Sequence, residues 1–344
     1  MVNDSRFLRA CRGEPHDRTP VWFMRQAGRY QPSYRALRAR YSMLQLARTP
    51  KLISDVTVSA VQELGVDAAI LFSDIMIPLD GMGVSFDIKE NVGPQVAEPF
   101  RTGQDMARLK RFSPKLVDYV FEGISLTTER LGYTPLIGFS GAPFTLASYL
   151  VEGGPSRTYR WTKQLMWTEP EAFDVLMDRL SDMVVQYLTA QVEAGASALQ
   201  LFDSWVGALS PEDYGTQVLP HMREIFKDLA KLQVPLIYFG VGTQHLLPLM
   251  AEAGATVLGV DWRTPVTRAR EIVGNRIGLM GNLDPQRLLS GWSATKRGSQ
   301  EILNSMSHDP TFIFNLGHGV PKETDLNVLK QLVSWIHQTT GEDS

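Results

Sequence analysis

The first residues able to do chemistry lie in an arginine-rich segment that follows the apolar run Val21–Met24. It has five arginines within sixteen residues, although the formal net charge of the chain is only −3: Arg25, Arg29, Arg35, Arg38 and Arg40. Arg25 and Arg29 have aromatic and apolar neighbours in the sequence. We therefore expect the aliphatic parts of both side chains to pack on these neighbours and so to fix the direction of the guanidinium groups. Arginine binds carboxylate and phosphate through two parallel hydrogen bonds. The segment therefore predicts an anion site, with Arg35 and Arg40 assigned to a solvated helix face.

Two further polar residues, Asp74 and His318, follow other short apolar runs. Asp74 lies between an apolar run that ends at Phe72 and the apolar stretch Ile75–Leu79. A carboxylate in such surroundings resists ionisation unless it is paired, which suits it to meet a cation or N–H donors; capping of the next helix is the structural alternative. His318 lies between two glycines that allow close backbone approach. It is a second candidate for the site, or a structural histidine.

Eight short apolar runs are spread along the chain, and most stop at Gly, Ser, Asp or Asn. Their continuous apolarity predicts strands buried on both faces, as in a parallel sheet. Helical patterns separate them, so the order is that of a single (β/α)8 barrel domain over residues 1–344. The predicted strands are Pro20–Phe23, Ala68–Ser73, Pro135–Ser140, Ala198–Ser204, Pro235–Gly240, Val257–Asp261, Ile277–Asn282 and Phe312–Gly317.

The helical patterns between these runs are amphipathic or capped. Residues 171–194 carry apolar side chains at steps of three and four, and Ser210 followed by Pro211 indicates a helix start. A doubly wound sheet is the rival fold, but the chain has no G-x-G-x-x-G turn after its first predicted strand and no phosphate loop. Further helices are predicted at Thr243–Ala253, Pro265–Val273, Pro285–Ser290 and Glu323–Gln338.

The active site of such a barrel lies at the carboxyl ends of the strands. Ser204 follows the fourth predicted strand, and Tyr149 lies in a segment that leaves the third. By themselves they read as a turn residue and a packed aromatic, and Asp261 and Asp284 read mainly as caps or turn formers. The residues at predicted strand ends form a converging polar set: Arg25, Arg29, Ser73, Asp74, Ser140, Asp203, Ser204, Gly240, Asp261, Asn282, Asp284 and His318.

Composition and missing patterns exclude several classes of function. A pI near 6.1 gives no global basic field for nucleic acid or an anionic membrane. The single cysteine, Cys11, excludes an internal disulfide or a site with several thiolates. No strand end has the lysine needed for Schiff-base chemistry, and the six histidines lack zinc-hydrolase spacing. With no signal-like or membrane-spanning apolar run, a cytoplasmic protein is expected.

Five motifs in register resemble the uroporphyrinogen decarboxylase family. They are Arg25-Gln-Ala-Gly-Arg29-Tyr, Phe72-Ser-Asp74-Ile, Gly141-Ala-Pro-Phe-Thr145 with Tyr149 and Glu152-Gly-Gly154, Leu199-Gln-Leu-Phe-Asp-Ser204, and Asn315-Leu-Gly-His318-Gly. The resemblance implies a (β/α)8 barrel, usually a homodimer, that converts the four acetate arms of uroporphyrinogen III to methyl groups and gives coproporphyrinogen III. It implies no metal and no organic cofactor.

The resemblance also implies the roles of individual residues. The residues implied to bind substrate are Arg25, Gln26, Ala27, Gly28, Arg29, Asp74, Tyr149, Ser204 and His318, with Arg38 and Phe202 as lesser candidates. Protonation of a pyrrole would make the ring the electron sink, and Asp74 would stabilise the resulting cation. The general acid stays open among Arg25, Tyr149 and His318. The alternatives are a corrinoid-linked methyltransferase of the same barrel superfamily and a non-catalytic tetrapyrrole carrier.

Overall fold

A computed structural model describes residues 2–90 and 92–341, with a curled parallel sheet of seven strands at its centre. The order of strands in the sheet is β1-β4-β5-β6-β7-β8-β9, so each strand pairs with its neighbours along the chain apart from the inserted pair β2 and β3. The strands of this sheet are β1 (Ala69–Ile70), β4 (Leu136–Gly141), β5 (Ala198–Asp203), β6 (Leu236–Gly240), β7 (Val257–Gly259), β8 (Gly278–Leu283) and β9 (Phe312–Leu316).

Seven of the eight predicted strands are therefore confirmed, most of them shortened by a residue or two. Every residue of β4, β6, β8 and β9 is buried, as continuous apolarity indicates for a parallel sheet. An antiparallel hairpin that was not predicted is made by β2 (Phe86–Lys89) and β3 (Gly93–Val96). It lies in the insertion between β1 and β4.

The first predicted strand, Pro20–Phe23, is the exception and is reduced to one parallel bridge between Val21 and Phe314 of β9. Two of its backbone N–H groups donate to side chains and so cannot pair with a neighbouring strand. The Val21 N–H donates to Asp67 at 2.8 Å, and the Phe23 N–H donates to Gln26 Oε1 at 3.3 Å. The segment still lies between β9 and β1, since the Val21 carbonyl accepts from the Asp67 N–H at 2.8 Å.

Asp67 joins this segment to both ends of the chain. Its carboxylate accepts from Arg6 Nη1 at 2.6 Å and lies 2.7 Å from Nε2 of His337. Arg6 also pairs with the exposed Asp17 at 2.8 Å. A carboxylate that is almost fully buried is tolerated here because every neighbour is a donor.

Helices connect the strands of the sheet. The α-helices are α1 (Arg6–Cys11), α2 (Pro32–Arg38), α3 (Met43–Ala47), α4 (Pro50–Leu64), α5 (Asp118–Leu131), α6 (Pro143–Glu152), α7 (Arg160–Thr168), α8 (Pro170–Glu193), α9 (Pro211–Gln217), α10 (Leu219–Leu229), α11 (Leu247–Ala251), α12 (Val266–Val273), α13 (Gln286–Leu289), α14 (Trp292–Ser305) and α15 (Leu326–Thr340). Short 3-10 turns occupy Val2–Asp4, Ile77–Met82, Gly103–Arg108, Pro114–Val117, Val206–Ala208, Ala230–Leu232 and Gln244–Leu246.

The predicted helices are confirmed with shifted ends. The stripe predicted over residues 171–194 lies on α8, and its apolar residues, including Leu176 and Leu180, are buried. Ser210 caps α9 by accepting from the Asp213 N–H at 3.1 Å, as the Ser-Pro start predicts. Asp284 accepts from the Gln286 N–H at 2.9 Å, which confirms its capping role. Among the described residues, no helix is long and apolar enough to cross a membrane.

Candidate active site

Arg25 lies on the loop that leaves the Val21 segment, and three contacts fix its position. Its backbone has a φ of 58°, an uncommon conformation for a residue with a side chain. The preceding residue, Met24, accepts from the Val320 N–H at 3.0 Å and donates to Asn315 Oδ1 at 3.2 Å. The stem of Arg25 lies against Gly319, where a β-carbon would stand 2.4 Å from its Cδ. The predicted anion site is therefore built against the loop that carries His318.

Gln26 supports this loop through hydrogen bonds of its buried side chain. Its side chain is fully buried, donates to the Ala68 carbonyl at 3.2 Å and accepts from the Phe23 N–H. Its backbone groups are also engaged, with Phe23 and with the hydroxyl of Tyr30. Every polar group of Gln26 is thus used within the protein, and its predicted contact with substrate stays untested.

The rest of the arginine-rich segment surrounds the loop. Arg29 is half exposed and lies 3.5 Å from Glu90 at the tip of the β2–β3 hairpin. Arg35 donates to the carbonyls of Arg29 and Tyr30 at 2.9 Å each, so it supports the loop as well as lying on the surface of α2. Arg38 donates to the Tyr41 carbonyl at 2.7 Å. Its role as a lesser substrate candidate stays a prediction.

Two small residues shape the turn between Arg25 and Arg29. Ala27 packs on a satellite cluster that includes Tyr34 and Phe72. Gly28 donates its N–H to Gln31 Oε1 at 3.0 Å, and a β-carbon there would stand 3.3 Å from the Tyr30 ring. Both residues keep the loop compact. Their predicted contact with substrate stays untested.

Asp74 follows β1 and is partly buried at the end of the sheet. Its Oδ1 accepts from the Met76 N–H at 2.9 Å, so it caps the next turn as well as facing the site. Burial raises the pKa of Asp74, while the Met76 N–H and the charge of Arg25 lower it in part. The carboxylate therefore lies in a poorly solvated place where the charge of Arg25 acts on it, and its predicted role in the site stays a prediction.

Tyr149, on α6, stacks on Trp205 with ring centroids 3.9 Å apart. Burial raises the pKa of Tyr149, and the Asp74 carboxylate raises it further while Arg25 opposes the rise. Tyr159 packs on the other part of Trp205 at 5.3 Å. Ser204 immediately precedes Trp205 and is partly buried. Tyr149 therefore lies within the electrostatic influence of Asp74 and Arg25, on an aromatic support that the sequence did not reveal.

His318 follows β9 and is partly buried beside Trp262, whose ring is nearly perpendicular to it at 6.4 Å. Burial, together with the charges of Arg25 and Arg263, lowers the pKa of His318 to about 4. The imidazole is therefore neutral near pH 7 in the protein without substrate. It can donate one hydrogen bond and accept another there.

A buried network lies at the end of β5 under Tyr149 and Trp205. Asp203 accepts from Thr145 Oγ1 at 2.7 Å and from the Tyr238 hydroxyl at 2.8 Å. Thr145 in turn accepts from the Trp205 N–H at 3.2 Å. Burial raises the pKa of Asp203 to about 6, although both hydroxyl donors lower it. Asp203 thus positions the Trp205 turn.

Sequence reasoning missed Trp205, Trp262 and Arg263. The predicted site residues are the first polar residues after each predicted strand, whereas Trp262 and Arg263 come one and two positions after Asp261. Reading two residues further would have found them. The lesser candidate Phe202 packs edge-on against Phe139 at 5.4 Å and joins an aromatic patch across the strand ends.

Arg25 is electrostatically coupled to three other predicted residues. The charge of Arg25 acts on Asp74, on Tyr149 and on His318. These are the four residues expected to be catalytic, and they come from the loops after the Val21 segment, β1 and β9 and from α6. A guanidinium, a carboxylate, a phenol and a neutral imidazole can bind an anionic molecule and stabilise a cation that forms within it.

The family model for "Uroporphyrinogen decarboxylase (URO-D)" matches residues 2–339. The chain belongs to the uroporphyrinogen decarboxylase family. The uroporphyrinogen decarboxylase of Streptomyces coelicolor is 52% identical over 337 residues, which are 98% of this chain and 95% of that protein. Those of Thermobifida fusca and a Geobacillus strain are 51% and 49% identical, with at least 94% of every chain covered. Decarboxylases of this family are carboxy-lyases.

Similar solved structures show the fold. A methyltransferase from Methanosarcina mazei superposes with a TM-score of 0.81 over 97% of this chain and 98% of its own, at 20% identity. A putative vitamin-B12 independent methionine synthase from Listeria monocytogenes follows with a TM-score of 0.57 and 12% identity over 95% of this chain and 98% of its own. At such identities the likeness concerns the fold alone, and the decarboxylase relatives favour the family over the methyltransferase alternative.

Proposed function

We propose that this protein converts the four acetate arms of uroporphyrinogen III to methyl groups and releases coproporphyrinogen III. The observation that carries the proposal is that Arg25, whose stem lies against Gly319 beside His318, is electrostatically coupled to Asp74, Tyr149 and His318 in a chain that belongs to this family. The substrate has eight carboxylate arms around four pyrrole N–H groups. Its rim therefore suits guanidinium groups and its centre suits a carboxylate.

Asp74 has the central role in this mechanism. Protonation of a pyrrole ring carbon makes a cation, and the electron pair of the bond to the departing carbon dioxide then enters that ring. A proton next adds to the remaining methylene carbon, and loss of the first proton from the ring restores a neutral pyrrole that carries a methyl group. Asp74 accepts pyrrole N–H hydrogen bonds before reaction and stabilises the cation as it forms. A unit pair about 4 Å apart at an effective dielectric near 20 interacts by roughly 4 kcal/mol, about a thousandfold in rate if realised only in the transition state.

Arg25 and Arg29 bind carboxylate arms in this proposal, and Ser204 also contacts the substrate. Tyr149 faces Asp74, and His318 offers a hydrogen bond as a neutral imidazole. Substrate carboxylates that bind beside His318 offset the effect of the Arg25 charge on the imidazole, and so they raise the pKa of His318. The identity of the general acid stays open among Arg25, Tyr149 and His318. That no metal and no organic cofactor take part also stays a prediction.

We further propose that the seven-stranded sheet closes into a single (β/α)8 barrel domain through the Val21 segment. The bridge from Val21 to Phe314 on one side and the hydrogen bond from Asp67 to Val21 on the other support this closure. A homodimer and a cytoplasmic location stay predictions. Analytical ultracentrifugation of the purified chain tests the first.

The direct experiment is anaerobic incubation of the purified protein with uroporphyrinogen III, with chromatography of the products after oxidation. Stepwise loss of four carboxyl groups is expected, through intermediates with seven, six and five. Asp74→Asn is expected to keep the fold and lose most turnover, by about a thousandfold. Asp284→Asn, which alters a capping carboxylate at the end of β8, is the matched control. Near-normal turnover in folded Asp74→Asn removes Asp74 from the mechanism, and a wild type that releases no carbon dioxide refutes the proposed function.

A further inference from the structure

The loop after β7, residues 261–264, carries a further arginine, Arg263, and is held by several hydrogen bonds. The Asn282 side-chain amide donates to the carbonyls of Asp261 at 3.0 Å and Thr264 at 2.6 Å. The Asp261 carboxylate accepts from the Gly242 N–H at 2.9 Å. The loops after β6 and β7 and the end of strand β8 are thereby tied together. Such a loop loses little conformational freedom when a ligand binds.

The same loop contacts the segment that carries His318. A β-carbon on Gly317 would stand 2.3 Å from the Trp262 backbone nitrogen, so this close approach requires glycine. The Trp262 ring stands edge-on to the His318 ring. Whatever binds at His318 therefore also meets the loop after β7.

Arg263 is held in one orientation with donors to spare. Its guanidinium lies 4.0 Å above the Trp262 ring, and its Nη1 donates to Asp261 Oδ2. A guanidinium has five N–H donors in a planar fork, and about half of this side chain is exposed (52%). Stacking and the hydrogen bond to Asp261 therefore fix the plane of the group while its outer edge faces solvent. That arrangement suits a carboxylate bound from the mouth.

Position in the sheet decides which kind of arm reaches Arg263. β7 is four strands from β1 in the sheet order, so Arg263 lies on the side opposite Asp74 in the proposed barrel. The reacting acetate must lie near Asp74. An arm held at Arg263 is therefore one that is not reacting, and the half-exposed position at the rim suits the longer propionate.

Resting on the proposed function, we propose that Arg263, stacked on Trp262, is a carboxylate-binding residue for a propionate arm of the porphyrinogen. It acts with Arg25 on either side of His318, since β9 has the Val21 segment on one side and β8, followed by β7, on the other. Substrate and product both keep their propionates. Arg263 therefore binds both molecules with equal benefit and lowers KM more than it raises kcat.

The test measures anaerobic coproporphyrinogen III binding by tryptophan fluorescence, together with KM and kcat for uroporphyrinogen III. Arg263→Gln is expected to weaken product affinity and raise KM by a similar factor, about tenfold for one lost charge-assisted pair, with little change in kcat. The loss is expected to shrink as salt rises, which a purely structural role would not produce. Arg268→Gln, on the exposed face of α12 and paired with Glu271 at 2.8 Å, is the control and is expected to bind normally.

Arg263→Gln leaves a buried carboxylate with one partner fewer, so Asp261→Asn/Arg263→Gln is made alongside it and is expected to show the same loss of affinity. Unchanged product affinity in both folded variants overturns the inference, as does an equal loss in Arg268→Gln. If Arg263→Gln weakens binding of uroporphyrinogen but not of coproporphyrinogen, the arm at Arg263 is an acetate, because only the substrate has acetates. That result overturns the propionate assignment. Release of carbon dioxide by the wild type is scored separately, so an active wild type with unaffected variants refutes only the role of Arg263.

Discussion

Arg25 occupies the space that a side chain at Gly319 would need, because a β-carbon at position 319 would stand 2.4 Å from Cδ of Arg25 and 2.7 Å from its Cγ. Gly319 has no positive φ, so its importance comes from space and not from backbone strain. The glycine that follows His318 therefore sets where the guanidinium of Arg25 points.

Gly319→Ala is accordingly expected to displace Arg25 and to lower kcat/KM for uroporphyrinogen by about tenfold or more, since one charge-assisted contact is misplaced. Gly215→Ala, in α9, is the control because its added β-carbon meets only Leu249 at 3.8 Å. That control is expected to keep full activity and to gain a little stability from better helix propensity. Steady-state kinetics and urea denaturation check both. Full activity in Gly319→Ala would show that Arg25 does not need this position.

The contact between Arg25 and Gly319 also shows what the sequence was able to predict. Asp74 and His318 were found because a polar residue directly after a buried strand lies at the active end of a barrel, whatever the length of the insertions. The contact itself joins residues almost three hundred positions apart, and no local pattern encodes it. The same holds for Val21, whose amide is taken by Asp67 and which therefore forms a bridge and not a strand.

In two other places the sequence pattern was too short to predict the structure, namely the β2–β3 hairpin and the turn after β7. The β2–β3 hairpin has four residues in each strand, and β3 contains Pro94, which weakens a strand signal. Trp262 and Arg263 come after the strand end, and the sequence pattern did not single them out. Their direction is set by Asn282 on the next strand, which only the folded arrangement shows.

Arg25 is expected to control the acid limb of the pH profile. Its charge lowers the pKa of Asp74 against the effect of burial, and it also lowers the pKa of His318. In Arg25→Gln both pKa values rise, so the acid limb of kcat/KM is expected to move to higher pH. The control is Arg40→Gln, which alters an exposed arginine near Tyr41 and is expected to leave the profile unchanged.

If Arg25→Gln turns over too slowly for a profile, NMR titration of the His318 ring reports the same change. Its pKa is expected to rise from about 4 toward the ordinary value of 6.5. An unmoved acid limb, or an unmoved titration, would contradict the assignment of Arg25 to this cluster.

His318 is expected to make stability depend on pH. Its pKa is about 4 in the folded protein and ordinarily 6.5, so between these values the unfolded chain binds a proton that the folded chain does not. Stability therefore decreases as pH falls through this window. His318→Gln removes that dependence. As pH falls from 6.5 to 4.5, the free energy of unfolding of the variant is therefore expected to decrease less than that of the wild type. Urea denaturation at both pH values measures it.

The matched control for this prediction is His308→Gln, because His308 is exposed. It is expected to keep the pH dependence of the wild type. Parallel curves for the wild type and His318→Gln would mean that His318 is not shielded from water and cations as described. They would also remove the argument that the imidazole is neutral in the empty site.

Thr145 is expected to position the aromatic side of the site through its hydroxyl. It donates to Asp203 at 2.7 Å and accepts from the Trp205 N–H at 3.2 Å, and Trp205 supports Tyr149. Thr145→Val removes both bonds at almost constant volume and leaves a buried carboxylate with one donor fewer. The expected cost is about 1–3 kcal/mol in the free energy of unfolding, with a further rise in the pKa of Asp203.

Activity separates this positioning role from a loss of stability. Thr145→Ser keeps the hydroxyl and is expected to recover most of the turnover that Thr145→Val loses, even though a methyl group is missing from the core. The position of Tyr149 is checked by the affinity for coproporphyrinogen, which is expected to fall in the valine variant and to recover with serine. If serine restores stability but not affinity, the Asp203 network stabilises the fold without setting the position of Tyr149.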